Sequence, residues 1–349
     1  MSTRIFFSSH RSALNSLGRM LQGAAFSRAR YFILLDTNTF THCLPRLVAS
    51  VPALQEAEFI ELPVGEEAKT LEVVEQVWQA LFESQADGDS VLVNLGGGCI
   101  SDVGGFVAAG YHRGIRYINV PTTLLAMVDA AIGGKTAVNL QGVKNQVGFI
   151  YPPVAVCIDP RFLDTLPREE WMNGRFELLK SHLLGGNSIS ATLWDTPLQH
   201  PVEASLIGDC ARFKAAVCRI DPYDKGARRI LNFGHTFGHA LESFMAQRGT
   251  PIAHGLSVAW GMWFELYLSV RKVGCDEALL HRYEELVQGL LSVPRLTLRD
   301  TESILDFMRH DKKNAEGTIR CVLLKEPGCP VIDIPIEEME IRDTLLKGF

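Results

Sequence analysis

Four short, mainly apolar runs occur in the first half of the chain, and each ends at a polar residue, a proline or a glycine cluster. They cover residues 31–35, 90–95, 117–120 and 154–158. Nearly continuous apolar runs of this length are typical of strands that are buried on both faces. Between the first two runs, apolar residues recur at helical spacing, at Leu71, Val74, Trp78 and Leu81. This alternation predicts an α/β fold with a doubly wound parallel sheet, which binds its ligands at the carboxyl ends of the strands.

The pattern changes after about residue 165, where long helical stretches dominate. The spacing of apolar residues predicts helices over 167–184, 204–217, 229–247 and 255–273, two short strands over 318–324 and 331–335, and a final helix. We therefore expect two domains, an α/β nucleotide-binding domain over 1–165 and a mainly helical domain over 166–349.

Composition limits the classes of function. The chain has 349 residues, of which 47% are hydrophobic and 21% charged, with a formal net charge of −6. An acidic chain of this kind is a poor candidate for general nucleic-acid binding. No apolar run is long enough to cross a membrane, and the first residues lack the pattern of a signal peptide. Eight cysteines without a CxxC pair are typical of reduced thiols. We expect a cytoplasmic protein with no membrane partner.

Two glycine-containing segments predict contact with phosphate. Gly96, Gly97 and Gly98 follow a predicted strand and lead into a helix, where close backbone approach and the helix N-terminus favour an anion. The alternative is a flexible turn, and the GxGxxG motif is absent. The second segment, 133–145, combines two glycines with lysines and asparagines and resembles a weak phosphate loop, although it lacks the Walker pattern. Asp36 ends the first strand and could accept hydrogen bonds from a ribose, or simply belong to a turn.

His235 and His239 are four residues apart and share one face if the segment is helical. One interpretation is a zinc site, with His254 and Glu177 as further candidate ligands, because catalytic zinc takes three protein ligands. The alternative is a set of core histidines with satisfied hydrogen bonds. Glycines at 234 and 238 weaken the helix and therefore predict a close backbone contact.

These segments, in this order, resemble the 3-dehydroquinate synthase family of sugar-phosphate cyclases. The resemblance covers roughly residues 30–325. It depends on the sequences at 65–69, 96–102, 105–114, 121–126, 133–139, 144–145, 231–240 and 311–314.

The resemblance implies a role for each matching position. Zinc, or cobalt in its place, would be held by Glu177, His235 and His254, with His239 as a nearby histidine that handles protons and Asp129 as a carboxylate between cofactor and substrate. NAD would be held by Asp36, Glu66, Lys69, Gly96, Gly97, Gly98, Asp102, Thr122, Thr123, Leu125, Phe162, Thr165 and Leu166. The substrate pocket would contain Arg113, Lys135, Lys144, Asn145, Lys180, Lys214, Arg228, Asn232 and Lys312.

The family chemistry implies an anionic sugar-phosphate substrate, 3-deoxy-D-arabino-heptulosonate 7-phosphate. NAD would be used catalytically in oxidation, phosphate elimination, reduction, ring opening and aldol closure, and the protein would be a homodimer. The chain departs from the usual family pattern at Phe176, Ser181, His182, Asp224 and Leu256. The alternatives are a cyclase for another sugar phosphate, a metal-dependent alcohol or glycerol dehydrogenase, and a non-catalytic protein with a decayed site.

Overall fold

The structure is a computed structural model. It describes residues 3–8, 12–141, 143–186, 189, 194, 198, 201–288, 296–310 and 318–347. The chain divides into two compact units, the first comprising Met1–Glu170 with Glu203–Pro222 and the second Trp171–Val202 with Tyr223–Phe349. The predicted boundary at 165 stays a prediction, and this division places the segment 203–222 with the first unit.

A parallel sheet forms the centre of the first unit. Its strands are β1 (Arg4–Phe7), β2 (Tyr31–Asp36), β3 (Glu58–Leu62), β4 (Val91–Gly96), β5 (Arg116–Pro121) and β8 (Ala155–Ile158). Their order across the sheet is β1-β8-β5-β4-β2-β3, and every neighbouring pair is parallel. The central strands β4 and β8 are buried along their whole length, as continuous apolar runs predict. The predicted α/β fold is confirmed.

Helices flank this sheet, and one of them comes from later in the chain. The helices of the first unit are α1 (Ala13–Leu21), α2 (Thr37–His42), α3 (Leu44–Ser50), α4 (Leu71–Glu83), α5 (Gly98–Gly110) and α7 (Ala204–Ile220); α6 (Arg168–Gly185) begins in the first unit and lies mostly in the second. Valines and leucines on one face of α4 pack into the core with Phe106 and Val107 of α5.

The segment 133–145 lies largely in a β-hairpin, and its contact with a phosphate stays a prediction. The hairpin is antiparallel and consists of β6 (Lys135–Leu140) and β7 (Val143–Ile150). No continuous apolar run predicted these two strands. Gly134 precedes the hairpin in a left-handed conformation, with φ of 67°, and a Cβ there would lie 2.6 Å from Cα of Pro152. Glycine is therefore required here by a tight backbone crossing.

The second unit is mainly helical, as predicted. It contains most of α6, then α8 (His235–Gln247), α9 (His254–Val273), α10 (Glu277–Val287), α11 (Leu298–Arg309) and α12 (Glu338–Lys347), with an antiparallel pair of β9 (Ile319–Leu324) and β10 (Pro330–Ile336). In the part of the chain that is described, no helix is long and apolar enough to span a bilayer.

The prediction of one helix over 229–247 is wrong at its start. A 3₁₀ helix covers Ala227–Asn232, and Gly234, with φ of 78°, separates it from α8. The predicted close backbone contact is confirmed, because a Cβ on Gly238 would lie 2.9 Å from the carbonyl oxygen of Ser257. This contact brings α8 against α9, and both helices begin with a histidine.

Candidate active site

The carboxyl ends of three neighbouring strands bring predicted NAD residues to one edge of the sheet. Asp36 ends β2, Gly96 ends β4, and Thr122 follows β5, with its backbone N–H donating to the Gly96 carbonyl at 3.0 Å. The Asp36 carboxylate accepts from the backbone N–H of Thr39 at 2.8 Å and caps α2. Asp36 is thus both a turn aspartate and a residue at the expected ligand edge.

At the glycine turn, a side chain at Gly96 would collide with Ile100, and one at Gly97 would press against Thr123. A Cβ on Gly96 would lie 2.5 Å from Ile100 Cγ1, and one on Gly97 would lie 3.1 Å from Thr123 Cγ2. Gly97 is the N-cap of α5, and its residue type offers no side chain to cap the first amides. The turn therefore presents backbone amides at the start of a 13-residue helix, which is an arrangement that favours a phosphate group.

Lys69 is the centre of a polar network beside this turn. Its ammonium donates to Asp102 Oδ2 at 2.8 Å and to Asn145 Oδ1 at 2.6 Å. Burial alone would lower the pKa of Lys69, but the charges of Asp102 and Glu66 outweigh it and raise that pKa. The lysine is therefore a fixed cation between a predicted cofactor residue and a predicted substrate residue.

Glu66 and the hairpin extend the same network. Asn139 Nδ2 donates to Glu66 Oε2 at 3.0 Å, and Asn139 Oδ1 accepts from the backbone N–H of Asn145, also at 3.0 Å. Asn145 itself has φ of 55°, an uncommon conformation for a residue with a side chain. These bonds hold the Lys144–Asn145 segment against the residues expected to bind NAD.

The remaining predicted residues of the first unit differ in exposure. Lys214, on α7, donates a short hydrogen bond to Asp129. Phe162 is buried, whereas Thr165 is exposed and Leu125 and Leu166 are partly exposed. Three predicted substrate residues have exposed side chains, namely Arg113, Lys135 and Lys144.

A cluster of one carboxylate and three histidines lies in the second unit. Glu177 of α6 is fully buried, and its Oε1 is 3.5 Å from His235 Nε2 and 3.6 Å from His254 Nε2. Ligand atoms of His235, His239 and His254 lie within 4.8 Å of one another. The predicted zinc residues are therefore together, and His239 is beside them.

These separations fit a tetrahedral metal. Metal–ligand bonds of 2.0 to 2.2 Å at tetrahedral angles place two donor atoms about 3.4 Å apart. The observed distances from Glu177 Oε1 to the two Nε2 atoms match that value within 0.2 Å. Imidazole nitrogen and carboxylate oxygen form a donor set suited to zinc or cobalt.

Lys180 places a positive charge next to this cluster. It is one helical turn after Glu177, its side chain is 2% exposed, and its Nζ is 2.5 Å from Glu177 Oε2. One carboxylate oxygen thus faces the lysine while the other faces the histidines. A buried ion pair of this kind is stable only with such close geometry, and it fixes the orientation of the carboxylate.

Sequence reasoning missed two carboxylates near the histidines. Glu242 Oε2 lies 3.1 Å from His254 Nδ1, and Glu265 Oε2 accepts from the backbone N–H of Gly234 at 2.7 Å. Burial would lower the pKa of His254, but hydrogen bonds to Glu177 and Glu242 raise it to about 9. Glu242 could have been found from its spacing, because positions 235, 239 and 242 lie on one helical face.

The last three predicted substrate residues come from later in the chain. Arg228 is buried and Asn232 partly buried, and both lie in the 3₁₀ segment before Gly234. Lys312 lies outside the described residues. The roles of all three stay predictions.

Comparison with solved structures defines the class. A 2-deoxy-scyllo-inosose synthase, solved with carbaglucose-6-phosphate, NAD+ and Co2+, matches with a TM-score of 0.85 and 28% identity, covering 99% of this chain and 96% of that one. An iron-containing alcohol dehydrogenase from Thermococcus thioreducens has a TM-score of 0.67 at 18% identity, covering 99% and 98%, and shares the fold alone. The chain thus has the fold of sugar-phosphate cyclases and metal-dependent dehydrogenases.

Sequence comparison is more specific. Residues 59–173 match the family described as 3-dehydroquinate synthase N-terminal, and residues 174–314 match 3-dehydroquinate synthase C-terminal. A 3-dehydroquinate synthase from Parabacteroides distasonis is 40% identical over 322 residues, which is 91% of this chain and 90% of that protein. The chain belongs to the 3-dehydroquinate synthase family. The predicted family and the predicted lyase class are confirmed.

Proposed function

We propose that this chain converts 3-deoxy-D-arabino-heptulosonate 7-phosphate to 3-dehydroquinate and phosphate, with catalytic NAD and a divalent metal, zinc or cobalt. The observation that carries the proposal is the Glu177, His235 and His254 donor set with Lys180 at its side. Family membership at 40% identity supports the reaction. A cytoplasmic homodimer acting on this small anionic substrate is part of the proposal.

The metal would be held by Glu177 Oε1 and the Nε2 atoms of His235 and His254. When bound, it supplies a Lewis acid that favours the alkoxide form of a substrate hydroxyl. The chain keeps the donors in place by three contacts. Lys180 orients the Glu177 carboxylate, the Phe233 carbonyl lies 3.1 Å from His235 Nδ1, and Glu242 contacts His254 Nδ1.

NAD would be held at the carboxyl edge of the sheet. Its phosphates would lie against the backbone amides at the start of α5, where the N-cap residue Gly97 has no side chain. When bound, NAD supplies a hydride acceptor that returns the hydride in the same catalytic cycle. Glu66, Lys69 and Asp102 would position the cofactor through the network described above.

The substrate carries a carboxylate and a phosphate, and the chain offers several cations to bind them. We assign this role to Lys214 and Lys180, which are almost fully buried, and to Arg113, Lys135, Lys144 and Arg228. Asp129 pairs with Lys214 and would orient its ammonium. His239 is one helical turn after His235, where its imidazole could accept or donate the protons that elimination and ring opening require.

The test is phosphate release by purified protein loaded with NAD+ and zinc. We expect release from 3-deoxy-D-arabino-heptulosonate 7-phosphate without net formation of NADH, and no release from sedoheptulose 7-phosphate run in parallel. Release from the second substrate alone would move the protein to another cyclase activity. Net NADH formation with a simple alcohol would instead make it a dehydrogenase.

A further inference from the structure

Glu242 lies behind one of the candidate metal ligands. Its Oε2 is 3.1 Å from His254 Nδ1, and Ser257 Oγ is 3.4 Å from the same oxygen. Ser257 also donates to the carbonyl oxygen of His254 at 2.7 Å. The histidine is therefore held at two points, by its ring and by its backbone.

His254 needs such support more than His235 does. Both histidines are the first residues of their helices, and neither N-cap residue makes a side-chain hydrogen bond, but the side chain of His254 is 30% exposed, compared with 11% for His235. The backbone at the start of α9 is held from α6, because Asn173 Oδ1 accepts from the backbone N–H of Gly255. A ring at a helix start with one open side can rotate unless a hydrogen bond holds it.

The contact also determines which nitrogen is available. A carboxylate beside Nδ1 accepts the Nδ1–H, so in the neutral ring that binds a metal the lone pair is on Nε2, which is 3.6 Å from Glu177 Oε1. Carboxylates that accept from a ligating histidine fix the tautomer and make the imidazole a stronger ligand. For His235 the corresponding contact is to the neutral carbonyl of Phe233.

The position of Glu242 in the sequence explains how it reaches this histidine. Leu256, two residues after His254, has no hydrogen-bond acceptor in its side chain. Glu242 is on α8, seven residues after His235 and on the same helical face. One helix thus supplies a ligand and the carboxylate that supports a ligand on the next helix.

We infer that Glu242 is a positioning residue of the metal centre, which holds His254 so that its Nε2 is directed at the ion. The inference rests on the proposed function, since it requires a metal at Glu177, His235 and His254. The inference goes beyond the proposed function, because it assigns part of the metal affinity to a side chain that is not one of the proposed ligands.

The experiment removes bound metal from the protein with a chelator and then titrates the protein with Co2+. The visible absorption of the bound ion measures binding. The variants are Glu242→Ala and Glu242→Gln, which keeps the size of the side chain and removes its charge. The matched control is Glu277→Gln on α10, where Glu277 lies 4.0 Å from His281 and both side chains are exposed. Melting of the stripped proteins reports whether each variant is folded.

We expect Glu242→Ala to weaken Co2+ binding by about 10- to 100-fold, as measured for comparable carboxylates behind metal-bound histidines. Glu242→Gln should fall between this variant and the wild type, and Glu277→Gln should bind like the wild type. The stripped Glu242→Gln protein should melt close to the stripped wild type, because a merely structural role would change melting and leave the cobalt spectrum unaltered.

Two results overturn the inference in different ways. If the wild type binds Co2+ tightly and both Glu242 variants bind within twofold of it with the same spectrum, Glu242 does not position His254, and the proposed function stands. If the wild type shows no Co2+ spectrum that depends on His235, the metal site and the inference both fail. Should Glu242→Ala not fold, the isosteric Glu242→Gln decides.

Discussion

Lys69 Nζ donates to Asp102 Oδ2 at 2.8 Å, and this bond ties the segment before α4 to the helix that follows the glycine turn. The two side chains are 5% and 20% exposed. Replacing Lys69 by alanine leaves a largely buried carboxylate without its cation. We expect Lys69→Ala to cost about 3 kcal/mol in the free energy of unfolding, at the low end for a broken buried pair because Asp102 retains some solvent. Urea unfolding followed by circular dichroism measures this.

The control for Lys69 is a more exposed ion pair elsewhere in the chain. Lys272 pairs with Glu340 at 2.7 Å, with side chains that are 24% and 35% exposed. Lys272→Ala should cost no more than about 1 kcal/mol. Equal costs for the two variants would show that the Lys69 pair is not a buried one. Weaker NAD+ binding by Lys69→Ala, and not by Lys272→Ala, would support the assignment of Lys69 to the cofactor site.

Glu66 gives the same network a dependence on pH. Burial raises the pKa of this carboxyl. The charge of Lys69 and the hydrogen bond from Asn139 together lower the pKa by more than burial raises it, so the net pKa is below the ordinary value of 4.5. A carboxyl with a depressed pKa stabilises the folded state above its ordinary pKa, and this contribution is lost as the pH falls. We expect Glu66→Gln to be less stable than the wild type at pH 7 and to approach it as the pH falls below 4.5. A gap that widens on acidification would contradict this.

The sequence predicted those elements whose physical cause is local. Continuous apolar runs gave the central strands, and the apolar spacing at Leu71, Val74 and Leu81 gave α4. The edge strands β1 and β3 and the hairpin β6–β7 were not predicted. Most residues of β3 and β7 are exposed, buried residues in β6 alternate with more exposed ones, and none of the four strands has a continuous buried apolar run. Besides its backbone ladder, that hairpin is held by side-chain bonds to residues about 70 positions earlier in the chain, such as the bond from Asn139 to Glu66.

The candidate site shows the same limit. His235 and His239 could be paired from their spacing, whereas Glu177 and His254 lie on other helices; the residues alone made them candidates, and the family resemblance assigned them as ligands. The helix start at His235 was misplaced by six residues, because the left-handed turn at Gly234 is stabilised by Glu265, which is 31 residues away. Contacts between residues this far apart in the chain leave no signal in the local sequence pattern.

Lys214 offers a test of the substrate assignment. Its side chain is 9% exposed and is held by Asp129, so the charge is fixed at the time of binding. We expect Lys214→Ala to raise KM for the sugar phosphate by about 10-fold or more, since a hydrogen bond to a charged group contributes about 1.5 to 3 kcal/mol. Phosphate release at varied substrate concentration measures this. Arg212→Ala, at an exposed pair on the same helix, is the control and should leave KM unchanged.

His235 is the most direct test of the metal assignment. Its Nε2 is 3.5 Å from Glu177 Oε1, and removing the imidazole leaves two of the three proposed ligands. We expect His235→Ala to lose metal and phosphate release together, with metal content measured by elemental analysis after gel filtration. His281→Ala, an exposed histidine on α10, should keep both. Full metal content in His235→Ala would show that the ligand set is wrong.

Gly261 tests whether the packing of α8 against α9 sets the geometry of the metal centre. A Cβ at this position would lie 1.8 Å from the carbonyl oxygen of Gly234 and 2.8 Å from the backbone nitrogen of Gly238, and backbone atoms cannot move aside as a flexible side chain could. In an open helix, alanine would be the better residue by about 1 kcal/mol. Here we expect Gly261→Ala to cost about 3 kcal/mol in the free energy of unfolding. It should also weaken Co2+ binding, because His235 directly follows Gly234.

Gly88→Ala is the control, since no atom lies within 4 Å of its Cβ. If Gly261→Ala unfolds and binds Co2+ like Gly88→Ala, the close contact between the two helices does not fix the ligands.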